Sequence, residues 1–215
     1  MKLYGYYRSS TSYRTRIVLN LKGIDYDYAP VALDRGEQQT EAFRELNAMG
    51  AVPALESGDG LFVQSPAIIE YLEERHPEPP LLPADPTGRA RVREVAALIA
   101  CDIHPVNNLR VMRYIGEHYG QDRAGIAEWY AHWIHAGFGP LERLLAARST
   151  AGHYCMGDAV TLADAYLVPQ VYNARRFGVP LDDYRTIVSV DAHCAALPAF
   201  AAAHPDRQPD APEAA

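Results

Sequence analysis

Arg8-Ser9-Ser10-Thr11-Ser12 sets a guanidinium and a run of hydroxyls in one short stretch. The stretch lies between an apolar, strand-like run ending at Tyr7 and a helical pattern through Ile17-Val18-Leu19 and Leu21. A helix start carries backbone N–H groups without intrahelical partners and the positive end of the helix dipole, so it suits an anion. If the anion is a bound thiolate, a hydroxyl donor and the dipole both favour the charged sulfur. On local residues alone, Ser9, Ser10 and Thr11 equally fit plain N-capping, and nothing ranks the three.

Further polar positions sit at turns or helix starts. Val52-Pro53 sets a proline beside a strand, where it cannot donate to a ladder and belongs at an edge or turn. A trans bond is the rule there. Gln64-Ser65-Pro66 sits at a strand-to-helix junction, with Ser65 suited to the N-cap and Pro66 to the first helical position. That end can offer a hydroxyl and free amides to a carboxylate. Asp102, His104 and Asn108 fall in a long helical pattern; the last two are four apart, hence on one face of a regular helix, although Pro105 kinks or restarts it. A lone histidine there also reads as a hydrogen-bonded structural residue. His132 and His135 are three apart without a third ligand, and no metal is expected. Thr161-x-x-Asp164 before an apolar run is a capping box, assigned to folding.

The elements that must position these residues fall into two textures. Up to about residue 75 the order is β-α-β-α-β-β-α: strands over Lys2–Tyr7 and Tyr26–Ala32, a helix over Thr11–Lys22 stopped by Gly23, and a short helix over Gln38–Leu46. Two strands then flank Ser57-Gly58-Asp59-Gly60, a hairpin signal, and a helix runs from Ser65 to about Glu74. His76–Gly88 holds five prolines and reads as a linker. Beyond it only helical patterns remain: Arg89–Tyr119, Asp122–Ala147, Leu162–Phe177 and Asp183–His204. The expected division is an α/β domain over 1–76, a linker over 77–88, an all-α domain over 89–204 and a frayed tail over 205–215.

Composition narrows the classes. With 48% hydrophobic residues in 215, a folded globular protein is expected. Twenty Lys and Arg against 27 Asp and Glu give a charge of −7, which argues against a nucleic-acid partner. Three widely spaced cysteines, Cys101, Cys155 and Cys194, fit neither a disulfide framework nor a zinc cluster. With no signal pattern at the start and no apolar run long enough to span a bilayer, the expected location is the cytoplasm, with no membrane partner.

The order of elements resembles the cytosolic glutathione transferase fold: a thioredoxin-like βαβαββα domain, a proline-rich linker and an all-helical domain. Three motifs sharpen the likeness to the zeta class: Arg8-Ser9-Ser10-Thr11-Ser12-Tyr13-Arg14 followed by Leu21-Lys22-Gly23-Ile24, Val52-Pro53 followed by Gln64-Ser65-Pro66-Ala67-Ile68-Ile69-Glu70-Tyr71-Leu72, and Thr161-Leu162-Ala163-Asp164 followed by Leu167-Val168-Pro169-Gln170. The resemblance implies glutathione-dependent cis–trans isomerisation of maleylpyruvate or maleylacetoacetate, and a homodimer. It implies that Ser9 holds the thiolate, with Ser10 and Thr11 as alternates. It implies a cis bond at Val52-Pro53, with Val52 pairing to the cysteinyl part of glutathione, Gln64 and Ser65 at the γ-glutamyl end, Gln38 near the glycine end, and His104 in contact, beside Asp102 and Asn108. Arg8, Arg110 and Arg176 match positions of maleylpyruvate-type members. Arginine binds carboxylates bidentately and keeps its charge, which suits a small dicarboxylate keto acid and the enolate charge of the reaction. One departure is Thr11, where the signature usually has cysteine, so the nucleophile must come from glutathione. Two other classes stay open: a glutathione transferase that conjugates or dehalogenates small electrophiles, and a non-catalytic binding module of the same fold.

Overall fold

The computed structural model describes residues 1–148 and 152–212. Two compact units divide the chain: Met1–Leu81 with Ala195–Ala215, and Leu82–Cys194. The boundary falls inside the proline-rich stretch. The second crossing, near residue 195, returns the end of the chain to the first unit.

The first unit contains a four-stranded sheet of β1 (Lys2–Gly5), β2 (Asp27–Pro30), β3 (Ala54–Ser57) and β4 (Gly60–Val63), in the order β2-β1-β3-β4. β1 runs parallel to β2 and antiparallel to β3, with Leu3 opposite both Tyr28 and Leu55. The β3–β4 hairpin closes at the expected glycine turn, with Ser57 opposite Gly60. Helices α1 (Ser10–Leu21) and α3 (Ser65–Arg75) bury Ile17, Val18, Leu19, Ile68, Ile69 and Leu72 completely, as are Leu3 and Leu55 of the sheet. α1 stops where expected: Gly23 takes a left-handed φ of 62°, and Ile24 N–H reaches back to Leu19 O. The predicted helix over Gln38–Leu46 is a 3-10 turn, Glu37–Gln39, followed by α2 (Glu41–Leu46), which Thr40 caps through Phe43 N–H.

Lys22 carries a buried ion pair. Its Nζ lies 2.7 Å from Glu73 and donates to His76 O and Pro79 O, while Glu73 accepts from Leu81 N–H. A buried pair survives only when its remaining donors and acceptors are used, and here they fasten the chain leaving α3.

The second unit is helical: α4 (Pro86–Ala97), a π turn (Leu98–Ile103), α5 (Leu109–Tyr119), α6 (Arg123–Arg148), α7 (Leu162–Arg176) and α8 (Arg185–Ala195). α4 starts inside the segment expected as linker, because Asp85 caps it through Gly88 N–H and Pro86 suits its first turn. α7 is the most buried helix. Asp164, wholly inside, accepts from Thr161 N–H, Thr161 Oγ1 and Cys155 N–H at 2.8–3.1 Å.

Two expected helices are broken, each at a proline. Arg89–Tyr119 is interrupted over 104–108, where Pro105 has no N–H to continue the ladder. Asp183–His204 divides between α8 and α9 (Pro198–Ala203), because Pro198 forces Leu197 into an extended conformation. α9 lies in the first unit, against α1: Asn20 donates to Ala199 O and Arg16 to Ala203 O. Residues 205–212, expected as part of a frayed tail, are engaged. Pro205–Arg207 forms a 3-10 turn, and Asp210 accepts from Tyr7 N–H. The rest of that segment, 213–215, is outside the described residues. No helix among the described residues is long and apolar enough to cross a membrane.

Candidate active site

Ser9 is the N-cap of α1: its φ and ψ are −67° and 120°, and Oγ accepts from Ser12 N–H at 3.3 Å. Ser10 is the first helical residue and is 4% exposed. Thr11, like Ser9, is partly exposed. Burial therefore separates hydroxyls that sequence left equal: Ser9 and Thr11 face outward, and Ser10 faces in. The two outward hydroxyls are 2.9 Å apart, and Thr11 Oγ1 lies 2.9 Å from Val52 O. A carbonyl only accepts, so the Thr11 proton goes to Val52. The Ser9 proton therefore points at Thr11 Oγ1. A hydroxyl relay thus joins the start of α1 to Val52, and the 8–14 stretch contains no cysteine.

Arg8 lies over the rings of Tyr6 and Tyr7 at 5.7 and 5.5 Å, a cation–π setting that orients a long side chain. Burial pushes the Tyr6 hydroxyl up to about 12, with the Arg8 charge pulling against it. Tyr6 packs with Val31, Phe43 and Val52, which links the end of β1 to the Val52 loop.

The Val52-Pro53 bond is cis, as the resemblance implied and against the ordinary trans rule. Gln64, at φ 69°, has the one left-handed backbone among described residues that are not glycine. It is the N-cap residue of α3 by backbone, so Ser65 is the first helical residue and not the cap that sequence suggested. Ser65 is 2% exposed, whereas Gln64 is exposed. Gln38 is 5% exposed, and its Oε1 has no hydrogen-bond partner. An orphan buried acceptor of this kind suits a ligand donor.

In the second unit His104 and Asn108 do meet, at 3.3 Å between Nε2 and Nδ2. The helix face invoked for them is absent. Asn108 is extended, with φ and ψ of −69° and 149°, and caps α5 by accepting from Arg110 N–H through Oδ1. With Oδ1 used, its NH₂ faces His104, whose Nε2 must be the acceptor; this network assigns the proton to Nδ1. Trp129 Nε1 donates to Val106 O and Asn107 Nδ2 to Tyr130 O, fastening the broken segment to α6. Asp102 is exposed in the π turn and Arg110 in the first turn of α5.

Arg176, exposed, ends α7 with its guanidinium 4.6 Å from the Phe177 ring centroid. Phe177 in turn stacks on Tyr130 at 3.7 Å, nearly parallel. Burial pushes the Tyr130 hydroxyl up to about 12, again opposed by the arginine. The preceding residue, Arg175, is committed to Asp191. No group of three metal-ligating side chains occurs among the described residues.

The model of the glutathione S-transferase N-terminal domain matches residues 3–80. The chain is 53% identical over 210 residues to the maleylpyruvate isomerase of Ralstonia sp, covering 98% of this chain and 99% of that protein. It is 51% identical to the maleylacetoacetate isomerase of Pseudomonas aeruginosa over the full length of both. The chain belongs to the glutathione transferase family. A holo structure of a maleylpyruvate isomerase, described as a zeta-class bacterial glutathione transferase, superposes with a TM-score of 0.97 at 52% identity, over 99% of this chain and 100% of that one. A maleylacetoacetate isomerase from Methylobacterium extorquens, with bound malonate and glutathione, superposes at 0.95 and 42% identity, over 99% and 100%.

In this zeta-class transferase, several supports of the candidate residues are not visible in the sequence. Arg16 is fully buried and donates to Tyr6 O, Tyr7 O and Ala203 O. The Tyr6–Tyr7 and Tyr130–Phe177 ring pairs under two of the arginines were also missed. One signal was present: Arg14 lies one turn before Ile17 and Val18, and Arg16 directly precedes them, so two charges adjoin the apolar run of α1.

Proposed function

We propose that this protein is a glutathione-dependent cis–trans isomerase of a maleyl keto acid, maleylpyruvate in preference to maleylacetoacetate. The observation that carries the reading is the Ser9–Thr11–Val52 relay at the amino end of α1, in a stretch without a protein thiol. Full-length identity of half or more to two isomerases supports the reaction. The malonate and glutathione in a relative support the ligand classes. The residues fit glutathione: the orphan acceptor of Gln38, the backbone of Val52 and the free amino end of α3 at Ser65 offer partners of the right kinds.

Bound glutathione supplies a thiolate that adds reversibly to the cis double bond and leaves after rotation. In our reading Ser9 turns its proton from Thr11 to the sulfur, and the α1 amides add their dipole, so the charged sulfur is favoured. Thr11 keeps its bond to Val52 and holds Ser9 in the rotamer from which it can turn. Val52 holds the cysteinyl part of glutathione, Gln64 and Ser65 its γ-glutamyl end and Gln38 its glycine end, with His104, Asn108 and Asp102 as further contacts. Arg8, Arg110 and Arg176 hold the carboxylates and the negative charge that develops beside the carbonyl, where fixed positive groups stabilise the transition state. Three arginines, and Thr11 in place of a cysteine, favour the shorter acid. The family further implies a homodimer in the cytoplasm, which sedimentation of the purified protein and fractionation of cells would test.

The deciding experiment follows loss of maleylpyruvate and maleylacetoacetate side by side, with and without glutathione. We expect turnover of both only with glutathione, and a higher kcat/KM for maleylpyruvate. No isomerisation, alongside conjugation of halogenated electrophiles, would put the transferase reading in its place. Binding of glutathione with neither reaction would indicate a non-catalytic module.

A further inference from the structure

The peptide groups just ahead of Arg8 and Ser9 are held by the far end of the chain. Tyr7 N–H donates to Asp210 Oδ2 at 2.9 Å, and the Tyr28 hydroxyl donates to the same oxygen at 3.4 Å. Tyr7 O accepts from Arg16 Nη2 at 2.7 Å. Tyr6 O accepts from Arg16 Nη1 at 3.4 Å and from Ser9 N–H at 3.0 Å. Tyr6 N–H donates to Ser12 Oγ. Arg16 is itself fixed: it is fully buried and gives its Nε to Ala203 O. Every backbone group of Tyr6 and Tyr7 is thus engaged. Two partners depend on residues far along the chain: Asp210 directly, 203 positions from Tyr7, and Arg16 through Ala203, 187 positions on.

These bonds lie where β1 has ended and α1 has not begun, so no ladder fixes the chain there. The segment between is short, and it carries both the Ser9 hydroxyl and the Arg8 guanidinium. We propose that Asp210 is a positioning residue for the thiolate site, acting with Arg16 to fix the Tyr6–Tyr7 peptides from which Arg8 and Ser9 extend. Asp210 touches neither reactant in this account. Its other oxygen, Oδ1, is buried without a hydrogen-bond partner, so one oxygen does the holding. What the loop is held for rests on the isomerase reading; that the loop is held does not.

The test uses the full-length protein with Asp210→Ala and Asp210→Asn. The asparagine keeps a carbonyl oxygen for Tyr7 N–H and sets its NH₂ where Oδ1 has no donor to oppose. Hydrogen exchange without ligand is read first. Asp210→Ala should speed exchange of the Tyr7 and Ser9 amides by about tenfold to a hundredfold, with α3 and α7 unchanged, and Asp210→Asn should restore it. The pH dependence of thiolate formation by bound glutathione is read next. In Asp210→Ala the thiol pKa should rise, and kcat/KM should fall about tenfold near neutrality and recover as pH rises, as expected of a misplaced donor. Asp210→Glu keeps the charge but displaces the acceptor by one methylene. It should show the same shifts at smaller size, and it covers the case in which Asp210→Ala does not fold. Wild-type exchange and an unchanged thiolate profile in the alanine or glutamate variant would overturn the proposal, as would failure of asparagine to restore either. If the wild type does not isomerise, the functional reading fails, while the exchange result still decides whether Asp210 holds the loop.

Discussion

The two ends of the proposed chemistry are built differently. At the amino end of α1, short hydroxyls and backbone groups leave little freedom: Ser9 accepts from Ser12, donates to Thr11, and Thr11 is anchored on Val52. The arginines of the second unit are long and exposed, and are steadied by neighbours of another kind. Phe177, stacked on Tyr130, lies under Arg176, and the Asn108 cap receives the backbone of Arg110. A thiolate needs a donor placed within tenths of an ångström, which a folded backbone provides. A carboxylate tolerates a mobile fork, because the guanidinium offers several donors in one plane.

Removing the Ser9 hydroxyl should have the largest effect. Ser9→Ala takes away the donor to the sulfur and the α1 cap together. We expect kcat/KM to drop about a hundredfold to a thousandfold, as for loss of one transition-state donor. Because the bound thiol would titrate higher, the deficit should be greatest at low pH and shrink as pH rises. A deficit equal at every pH would assign Ser9 to capping alone and break the contrast.

The legibility of the two ends in sequence follows from the same difference. The hydroxyl end is local: residues 8–14 are contiguous, and helix-start chemistry is visible without a fold. The choice of Ser9 and Thr11 over Ser10 was not, because it depends on which side of α1 faces the core. Asp210 and Arg16 were hidden for another reason: their partners are Tyr6, Tyr7 and Ala203, and only the tertiary return of α9 brings them together. His104 and Asn108 were paired for the wrong reason. A four-residue spacing suggested a regular helix, yet Pro105 and the extended Asn108 break it and the side chains still meet. The order of elements along the first unit and the hairpin at Gly58-Asp59 were visible as pattern, since alternation and turn chemistry are local properties.

Asp164 tests whether the second unit is as dependent on its fixed part as the first. It gathers four donors at the start of α7, whose last residue is Arg176: Cys155 N–H, Thr161 N–H, Thr161 Oγ1 and, at 3.9 Å, the Cys194 thiol. Asp164→Ala strands those buried donors and should cost about 2–4 kcal/mol of stability, read as the shift in denaturant midpoint. Activity per folded molecule should be unchanged. Burial pushes the Asp164 carboxyl up, against the pull of its hydrogen bonds. With the folded value above the unfolded one, its protonated form is favoured in the fold. That contribution is complete below the ordinary carboxylate range and is lost as pH rises through the folded value. Asp164→Asn should lack this slope. A wild type whose stability rises through that window relative to the variant would reverse the assignment.

Arg176→Ala should lower kcat/KM about tenfold to a hundredfold, the scale of a lost charged hydrogen bond, through kcat as well as KM and evenly across pH. Arg176→Lys should recover part of it, since a point charge lacks the planar fork. Unchanged kcat/KM in the alanine variant would remove Arg176 from the account. A pH-dependent loss like that of Ser9→Ala would mean the arginine acts on the thiolate, merging the two ends.

The smallest effect is expected at Phe177. Phe177→Leu keeps an apolar side chain of moderate size while removing the ring beneath Arg176 and its stack on Tyr130. A cation–π contact at an exposed site is worth about 0.5–1 kcal/mol, so KM for the keto acid should rise about twofold to fivefold with kcat nearly constant. If the arginine end is a mobile fork steadied by a ring, the rise should vanish in the Arg176→Ala background, where there is no guanidinium left to steady. An equal rise in both backgrounds would mean that Phe177 shapes the second unit generally, and that Arg176 owes its placement to the end of α7 alone.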